Sequence, residues 1–184
     1  FNLIGNSLIS KNAYIHKSSK IFNNCVIGRG VKIGRNCVIK NNVVIKNTII
    51  KDNVIICDNS SIGTTGFGFD LKKRGTNSLN PQIGIVVIDN NVHIGSYSMI
   101  GGMSGIDKNV LPFSLVIGNR AKLRGLNLVG IRRNNFSKEE LNKINNLHEN
   151  FSHNKINFST NGKVENIFQQ YKSIFNEKLG HIQK

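Results

Sequence analysis

The hydrophobic positions of this chain recur every six residues. A small or β-branched residue precedes most of the repeated positions by two, as Cys25 and Val31 do. A period of six matches neither the 3.6-residue repeat of an amphipathic helix nor the two-residue alternation of a strand. It is typical of a parallel β-helix, in which each hexad forms one flat face. Isoleucine occupies the repeated position in three series: Ile9, Ile15, Ile21, Ile27, Ile33, Ile39, Ile45, then Ile50, Ile56, Ile62, then Ile88, Ile94, Ile100, Ile106.

The residues between the isoleucines suit the corners of such a solenoid. Glycine follows several isoleucines directly, and asparagine or glycine stands two or three places further on, as Asn36 and Asn42 do. Both residue types adopt positive φ more readily than others. With three hexads per turn, the repeats supply about five coils. Ordinary short strands in a sandwich are the alternative, but they would show looser spacing and turn signals every eight to twelve residues.

Three segments depart from the repeat, and one of them, residues 107–124, is interrupted by Pro112 and predicts a last, irregular coil. Residues 63–84 are too long and polar for a corner and predict a projecting loop, whose Phe67 and Phe69 either pack back on the solenoid or line a pocket shared with a neighbouring subunit. Ser137 followed by Glu140 forms a capping box that opens a helix, and a second helical pattern follows Gly162. We therefore predict an all-β solenoid over 1–125 and a C-terminal α-helical appendage over 126–184.

Charge and cysteine content narrow the function. The net charge is +15 over 184 residues, which indicates an acidic partner, although the richness in Asn, Lys and Ile is also consistent with a compositional bias. The aromatic residues are not interleaved with Lys and Arg, which disfavours nucleic acid. No apolar run reaches membrane-spanning length, and no charged-then-apolar leader opens the chain. Three cysteines without CxxC spacing predict no metal site and no disulfide framework, in a reducing, cytoplasmic setting.

One basic cluster follows the last repeat. It consists of Arg120, Lys122, Arg124, Arg132 and Arg133. Arginine donates two parallel hydrogen bonds to phosphate oxygens, so such a cluster at the edge of a domain suits a phosphorylated ligand. A solvated basic edge is the alternative reading.

Two stretches resemble the left-handed β-helix acyltransferases of lipid A biosynthesis. SSIGTTGFGFDLKKRG and NPQIGIVVIDNNVHIGS are similar to the glucosamine N-acyltransferase, with its GFGF loop and PQxG turn. IGGMSGIDKNVLPFSLVIGNRAKLRGLNLVGIRRNNFSKEEL resembles the UDP-N-acetylglucosamine O-acyltransferase. The two resemblances meet near Ile100, which is consistent with a hybrid, a gene fragment or a chain that lacks internal coils.

The resemblance implies a left-handed parallel β-helix of hexapeptide repeats that assembles as a homotrimer. The implied reaction moves a 3-hydroxyacyl chain from acyl carrier protein to a UDP-glucosamine derivative, without a metal or cofactor. An acidic carrier protein would account for the basic charge. Carried over by motif, Asn127 would hydrogen-bond the nucleotide sugar and Arg133 would pair with its diphosphate, while Phe67 and Phe69 would contact substrate. Val129 stands where a family member has an acidic residue.

The family's catalytic histidine is missing from its expected hexad. The base lies in an IAH-type hexad, and this chain has none. Among five histidines, His93 is the imidazole on a solenoid face at the right general location, so it is the candidate base. A solvated surface histidine is the alternative. Two rival functions stay open: an acetyl-coenzyme A-dependent sugar acetyltransferase, whose GNPA exit pattern is close to Gly118–Ala121, and a non-catalytic trimeric scaffold.

Overall fold

The computed structural model describes residues 2–4, 6–64, 84–152, 162–174 and 180–183. Over these ranges short strands succeed one another at hexad spacing, and helices follow them. In chain order the strands are β1 (Asn2–Ile4), β2 (Ser7–Ile9), β3 (Tyr14–Ile15), β4 (Lys20–Ile21), β5 (Val26–Ile27), β6 (Lys32–Ile33), β7 (Val38–Ile39), β8 (Val44–Ile45), β9 (Thr48–Ile50), β10 (Ile55–Ile56), β11 (Ser61–Thr64), β12 (Val86–Ile88), β13 (His93–Ile94), β14 (Met99–Gly101), β15 (Gly105–Ile106), β16 (Ser114–Ile117) and β17 (Lys122–Leu126). The helices are α1 (Leu128–Arg133), α2 (Lys138–Ser152) and α3 (Lys163–Ile174).

Within the coils, most strands pair with the strand three positions further along the chain, so the strands form three sheets around one axis. Face 1 runs β1-β2-β5-β8-β11-β14-β16-β17, face 2 runs β3-β6-β9-β12-β15, and face 3 runs β4-β7-β10-β13. The pairs within the coils are parallel, whereas β1 with β2 and β16 with β17 are antiparallel. The expected left-handed parallel β-helix is confirmed, and its antiparallel strands lie at the two ends of face 1.

The repeated isoleucines form the core, as predicted. In register, Ile27 pairs with Ile45 on face 1 and Ile33 with Ile50 on face 2, and these side chains are buried. Ile15 and Ile21 of the first coil are only partly buried but pack against the same core. Each fully buried isoleucine contributes roughly 1.5–3 kcal/mol.

The small inward residues also bond the backbone of the next coil. The Cys25 thiol donates to the Lys40 carbonyl at 3.0 Å, and the Ser60 hydroxyl donates to the Gly95 carbonyl at 3.0 Å. These bonds explain why cysteine and serine are tolerated in an apolar core. Cys57 is also buried, and burial raises its pKa to about 11, so it is a protonated thiol at neutral pH.

The corners adopt the backbone that the sequence predicts. Asn36 and Asn42 have φ of 53° and 57°. In the last coils, however, Tyr97, Met103 and Phe113 take the same left-handed conformation, with φ between 60° and 63°. Tyr97 and Phe113 stack with ring centroids 5.1 Å apart, so packing between two coils compensates for the less favourable backbone.

The appendage has its own apolar core. The capping box is confirmed, because the Ser137 N–H donates to Glu140 at 2.7 Å and the Glu140 N–H donates to the Ser137 hydroxyl at 3.1 Å. The buried side chains of α2 and α3 pack on Phe113 of the last coil. The Nε2–H of His148 donates to the Pro112 carbonyl at 2.6 Å, since a carbonyl oxygen can only accept. None of the described helices is long and apolar enough to cross a membrane.

The end of the chain returns to the solenoid, which the sequence did not predict. Ile182 is buried in the solenoid core rather than in the core of the appendage. Its N–H donates to the Asn109 carbonyl at 2.9 Å, and the Leu123 N–H donates to the Gln183 carbonyl at 3.0 Å. Residues 180–183 thus lie against the last coil and supply its final inward aliphatic side chain.

Coil spacing predicts that two equivalent glycines differ in their tolerance of alanine. A Cβ at Gly34 would meet Asp52 and lie 2.7 Å from the Lys51 carbonyl, whereas a Cβ at Gly28 would lie 3.2 Å from the Ile45 carbonyl. We expect Gly34→Ala to cost about 2 kcal/mol or more of unfolding free energy, and Gly28→Ala clearly less. Denaturant unfolding of both variants measures this, and equal losses would contradict such close stacking at Gly34.

Two buried histidines of the appendage predict a loss of stability in acid. Burial lowers the pKa of His148 and of His181, and for His181 the neighbouring His148 adds to the shift, which brings its pKa to about 4. Unfolded histidine titrates near pH 6.5, so this stability is fully present above about 6.5 and is lost as pH falls through the folded pKa values. We expect His181→Asn to flatten the fall in Tm across that window. His16→Asn, which replaces a histidine of the first coil outside the appendage, is the matched control.

Candidate functional site

His93 lies in an outward column on face 3. Register places it beside Ile55, which in turn lies beside Val38. The side chain is half-buried, and its Nδ1 is enclosed without a hydrogen-bond partner among the described residues. Burial lowers the pKa of the imidazole, so it is neutral at pH 7 and able to accept a proton. The structure therefore places His93 on the outer surface, as expected.

The other described histidines are less suited to act as a base. His16 Nδ1 faces the Ser18 hydroxyl at 2.9 Å and receives the Ser18 N–H at 3.2 Å, so the neutral ring carries its proton on Nε2. That nitrogen has no free lone pair to take a second proton. His148 and His181 pack among aromatic rings of the appendage, against Phe168 and Phe151 respectively.

Asn127 joins the appendage to the coil of His93. It is the N-cap of α1: its Oδ1 accepts from the Gly130 N–H at 3.0 Å, and its Nδ2 donates to the Tyr97 carbonyl at 2.8 Å. Tyr97 occupies the corner that directly follows the strand of His93. The side chain is 7% exposed, so Asn127 has a clear architectural role in addition to the ligand contact predicted for it.

Arg133 lies in the last turn of α1 and is exposed. The basic cluster is exposed as a whole, and none of its members forms an ion pair with another described residue: Arg120, Lys122, Arg124, Arg132 and Arg133. Leu128 and Val129 beside it are 46% and 37% exposed. This surface, which we call the basic exit, combines uncompensated guanidinium groups with apolar side chains, a composition that suits an anionic ligand with an apolar part.

The structure brings some predicted residues together and leaves others untested. Asn127 fixes α1, and with it Arg133, to the coil that carries His93. Phe67 and Phe69 lie outside the described residues. Within the described ranges, no group of three or more His, Cys, Asp or Glu side chains could hold a metal ion. Hexad spacing carries no signal for the role of Tyr97, because the bond that its carbonyl accepts from Asn127 joins residues distant along the chain.

Comparison with known protein families matches two parts of the chain. Residues 109–182 match the second domain of UDP-N-acetylglucosamine O-acyltransferase, and residues 3–68 match the GMPPB C-terminal domain. Each match covers less than half of the chain.

Individual relatives belong to the first of these two families, the UDP-N-acetylglucosamine O-acyltransferases. An acyl-[acyl-carrier-protein]–UDP-N-acetylglucosamine O-acyltransferase from Synechocystis is 43% identical over 61 residues, which is 33% of this chain and 22% of that protein. The enzyme of the same name from Campylobacter jejuni subsp. doylei is 36% identical over 103 residues, or 53% of this chain and 39% of that protein. The chain thus spans well under half the length of these relatives.

A solved structure extends the likeness to the fold of nearly the whole chain. The Arabidopsis UDP-N-acetylglucosamine acyltransferase superposes with a TM-score of 0.72 at 25% identity, covering 97% of this chain and 64% of that one. The expected resemblance to the hexapeptide-repeat UDP-N-acetylglucosamine O-acyltransferases is therefore confirmed.

The geometry predicts different costs for replacing Asn127 and Arg133. Asn127→Ala removes an N-cap and the bond to Tyr97, and we expect it to lower the unfolding free energy by about 1–2 kcal/mol. Arg133→Ala removes an exposed side chain and should change stability by less than about 0.5 kcal/mol. Urea denaturation compares them, and an Asn127→Ala variant as stable as the parent would rule out the capping role.

Proposed function

We propose that this protein is an acyltransferase of lipid A biosynthesis that moves a 3-hydroxyacyl chain from acyl carrier protein to a UDP-glucosamine derivative. The observation that carries the proposal is the segment from the last coil into α1, where the match to the second domain of the O-acyltransferase family coincides with the exposed basic exit. The function follows from this site rather than from the fold, since one fold supports many activities.

The basic exit supports binding of both substrates. Arg133 is free among the described residues to form a bidentate contact with a diphosphate, and its neighbours extend the positive surface. Acyl carrier protein is acidic, so the same charge favours its encounter with the chain. Asn127 retains one donor and one acceptor position after its bonds to Tyr97 and Gly130, which leaves it able to contact the nucleotide sugar as well.

His93 is the proposed general base. The neutral imidazole removes the proton of the acceptor hydroxyl or amine, whose oxygen or nitrogen attacks the thioester carbonyl. The tetrahedral intermediate then collapses, the carbon–sulfur bond breaks, and the carrier thiolate takes up a proton. For Nε2 to accept a proton, Nδ1 must hold one, so the enclosed Nδ1 needs an acceptor in the catalytic assembly.

A homotrimer, which we propose as the assembly, would supply the acceptor that Nδ1 of His93 needs. Sites in the clefts between solenoids would bring groups of a second copy against the outer faces, where His93 lies, and cyclic symmetry is common among oligomers. Phe67 and Phe69 are proposed as further substrate contacts from the loop. A cytoplasmic location goes with acyl carrier protein as donor.

Two rivals remain distinguishable by assay. The acetyl-coenzyme A-dependent sugar acetyltransferase is favoured by the GNRA exit pattern at 118–121. The non-catalytic trimeric scaffold is favoured by the missing base hexad. Incubation with 3-hydroxyacyl carrier protein and UDP-N-acetylglucosamine, repeated with the amino-sugar acceptor and with acetyl-coenzyme A, separates the enzymes. Binding without turnover in every arm favours the scaffold.

Substitutions at His93 and Arg133 test the assigned roles. We expect His93→Gln to lower kcat by about 10²-fold or more with Tm unchanged, because general-base catalysis contributes about that factor. Arg133→Ala should weaken UDP-sugar binding by about tenfold, the loss of one charge-assisted contact. Arg29→Ala, which removes an exposed arginine of an early coil, is the matched control. Undiminished turnover by His93→Gln would eliminate His93 as the base.

A further inference from the structure

Beyond β13, face 3 continues through two short segments that lie far apart along the chain. Val110 pairs in parallel with Ile94, and Asn109 pairs in parallel with His181. The inward column of face 3 therefore continues through Ile94 and Val110 to Ile182, which is 6% exposed. The segment 180–183 occupies the place where a further coil would otherwise stack.

Asn109 changes the hydrogen-bond pattern at this point. In the preceding coils, the N–H of the outward residue on face 3 donates to a backbone carbonyl of the next coil, as the Val38 N–H does to the Val54 carbonyl at 2.9 Å. The His93 N–H instead donates to Oδ1 of Asn109 at 3.0 Å. The backbone of Asn109 is engaged on the other side, since its N–H donates to Gly180 at 3.1 Å and its carbonyl accepts from Ile182 at 2.9 Å. The side-chain amide thus takes the place of a backbone carbonyl.

We propose that Asn109 is a positioning residue for His93 and that the segment 180–183 holds Asn109 in place. Asn109 is fully buried, so no solvent replaces its oxygen if the side chain is lost. The imidazole of His93 has an enclosed Nδ1 without a partner among the described residues, so within them its orientation depends on its strand and on packing. The catalytic consequence rests on the proposed function, but the structural link does not.

A small displacement of the strand would matter for the reaction. A general base must lie within hydrogen-bond reach of the proton that it abstracts, and a misplacement of about 1 Å can cost about 10²-fold in rate. Loss of the Asn109 oxygen leaves the His93 N–H without an acceptor, so the strand end opens more often. We therefore expect the effect in kcat more than in KM.

The test compares three variants by hydrogen exchange at the His93 amide and by turnover. Asn109→Leu removes the acceptor and should speed exchange at His93 by about tenfold, the value of one hydrogen bond. Asn109→Asp keeps an acceptor oxygen and should restore slow exchange and most of the turnover. Asn90→Leu is the control, because Asn90 Oδ1 accepts the Asp52 N–H at 2.9 Å in the same kind of bond elsewhere. It should leave exchange at His93 unchanged.

A fourth variant tests the contribution of the segment 180–183. Ile182→Ala weakens the anchor of 180–183 and should also speed exchange at His93, while amides of the first coils keep their protection. Unchanged exchange at His93 in both Asn109→Leu and Ile182→Ala would overturn the inference. If exchange rises but neither Asn109→Leu nor His93→Gln affects turnover, the positional link stands and the catalytic role of His93 is overturned.

Discussion

The stacking of one inward aliphatic column per face is the interaction on which this structure depends. Because Ile45 lies on Ile27 and Ile50 on Ile33, the coils approach to the strand spacing of about 4.8 Å. That distance leaves no room for a Cβ at Gly34, and it lets Ser60 and Cys25 reach a carbonyl of the next coil. The positive φ of the corner asparagines, the small inward side chains and the glycine at position 34 all follow from the same repeat.

A stacked core leaves exposed strand edges at its ends, and in the described part of the chain face 1 is closed by an antiparallel strand at both of its ends. At the start, β1 folds back antiparallel on β2. At the far end, β17 folds back on β16, and residues 180–183 continue face 3 through Ile182. The appendage therefore does more than follow the solenoid. It rests on Phe113 and on the Pro112 carbonyl, and Asn127 ties it to Tyr97, so the basic exit is fixed to the coils that carry His93.

The sequence predicted what local spacing determines. The hexads identified the inward isoleucines, the asparagine corners and the outward position of His93, and the Ser137–Glu140 spacing identified the start of α2. The sequence did not predict the hydrogen bond of Asn109 to His93 or the burial of Ile182 in the solenoid core. Ile182 is a single isoleucine outside the hexad repeats, so spacing does not assign it to a distant coil. The stacked ring of Tyr97 was missed for the same reason, since its left-handed backbone is compensated by Phe113 of the next coil.

Most of the described acidic side chains are engaged at a distance from the basic exit. Asp52 and Asp58 accept backbone N–H groups of neighbouring coils, at 2.6 Å and 2.9 Å. Asp89 pairs with Lys51, whose hydrogen bond lowers the pKa of that carboxyl, so the pair persists in mild acid. Glu140 caps α2, and Glu165 pairs with Lys143. Five of the eight carboxylates in the described ranges are thus engaged in the architecture. The arginines after the last coil form no ion pair with a described residue, and their charge is available to an anionic substrate or an acidic carrier protein.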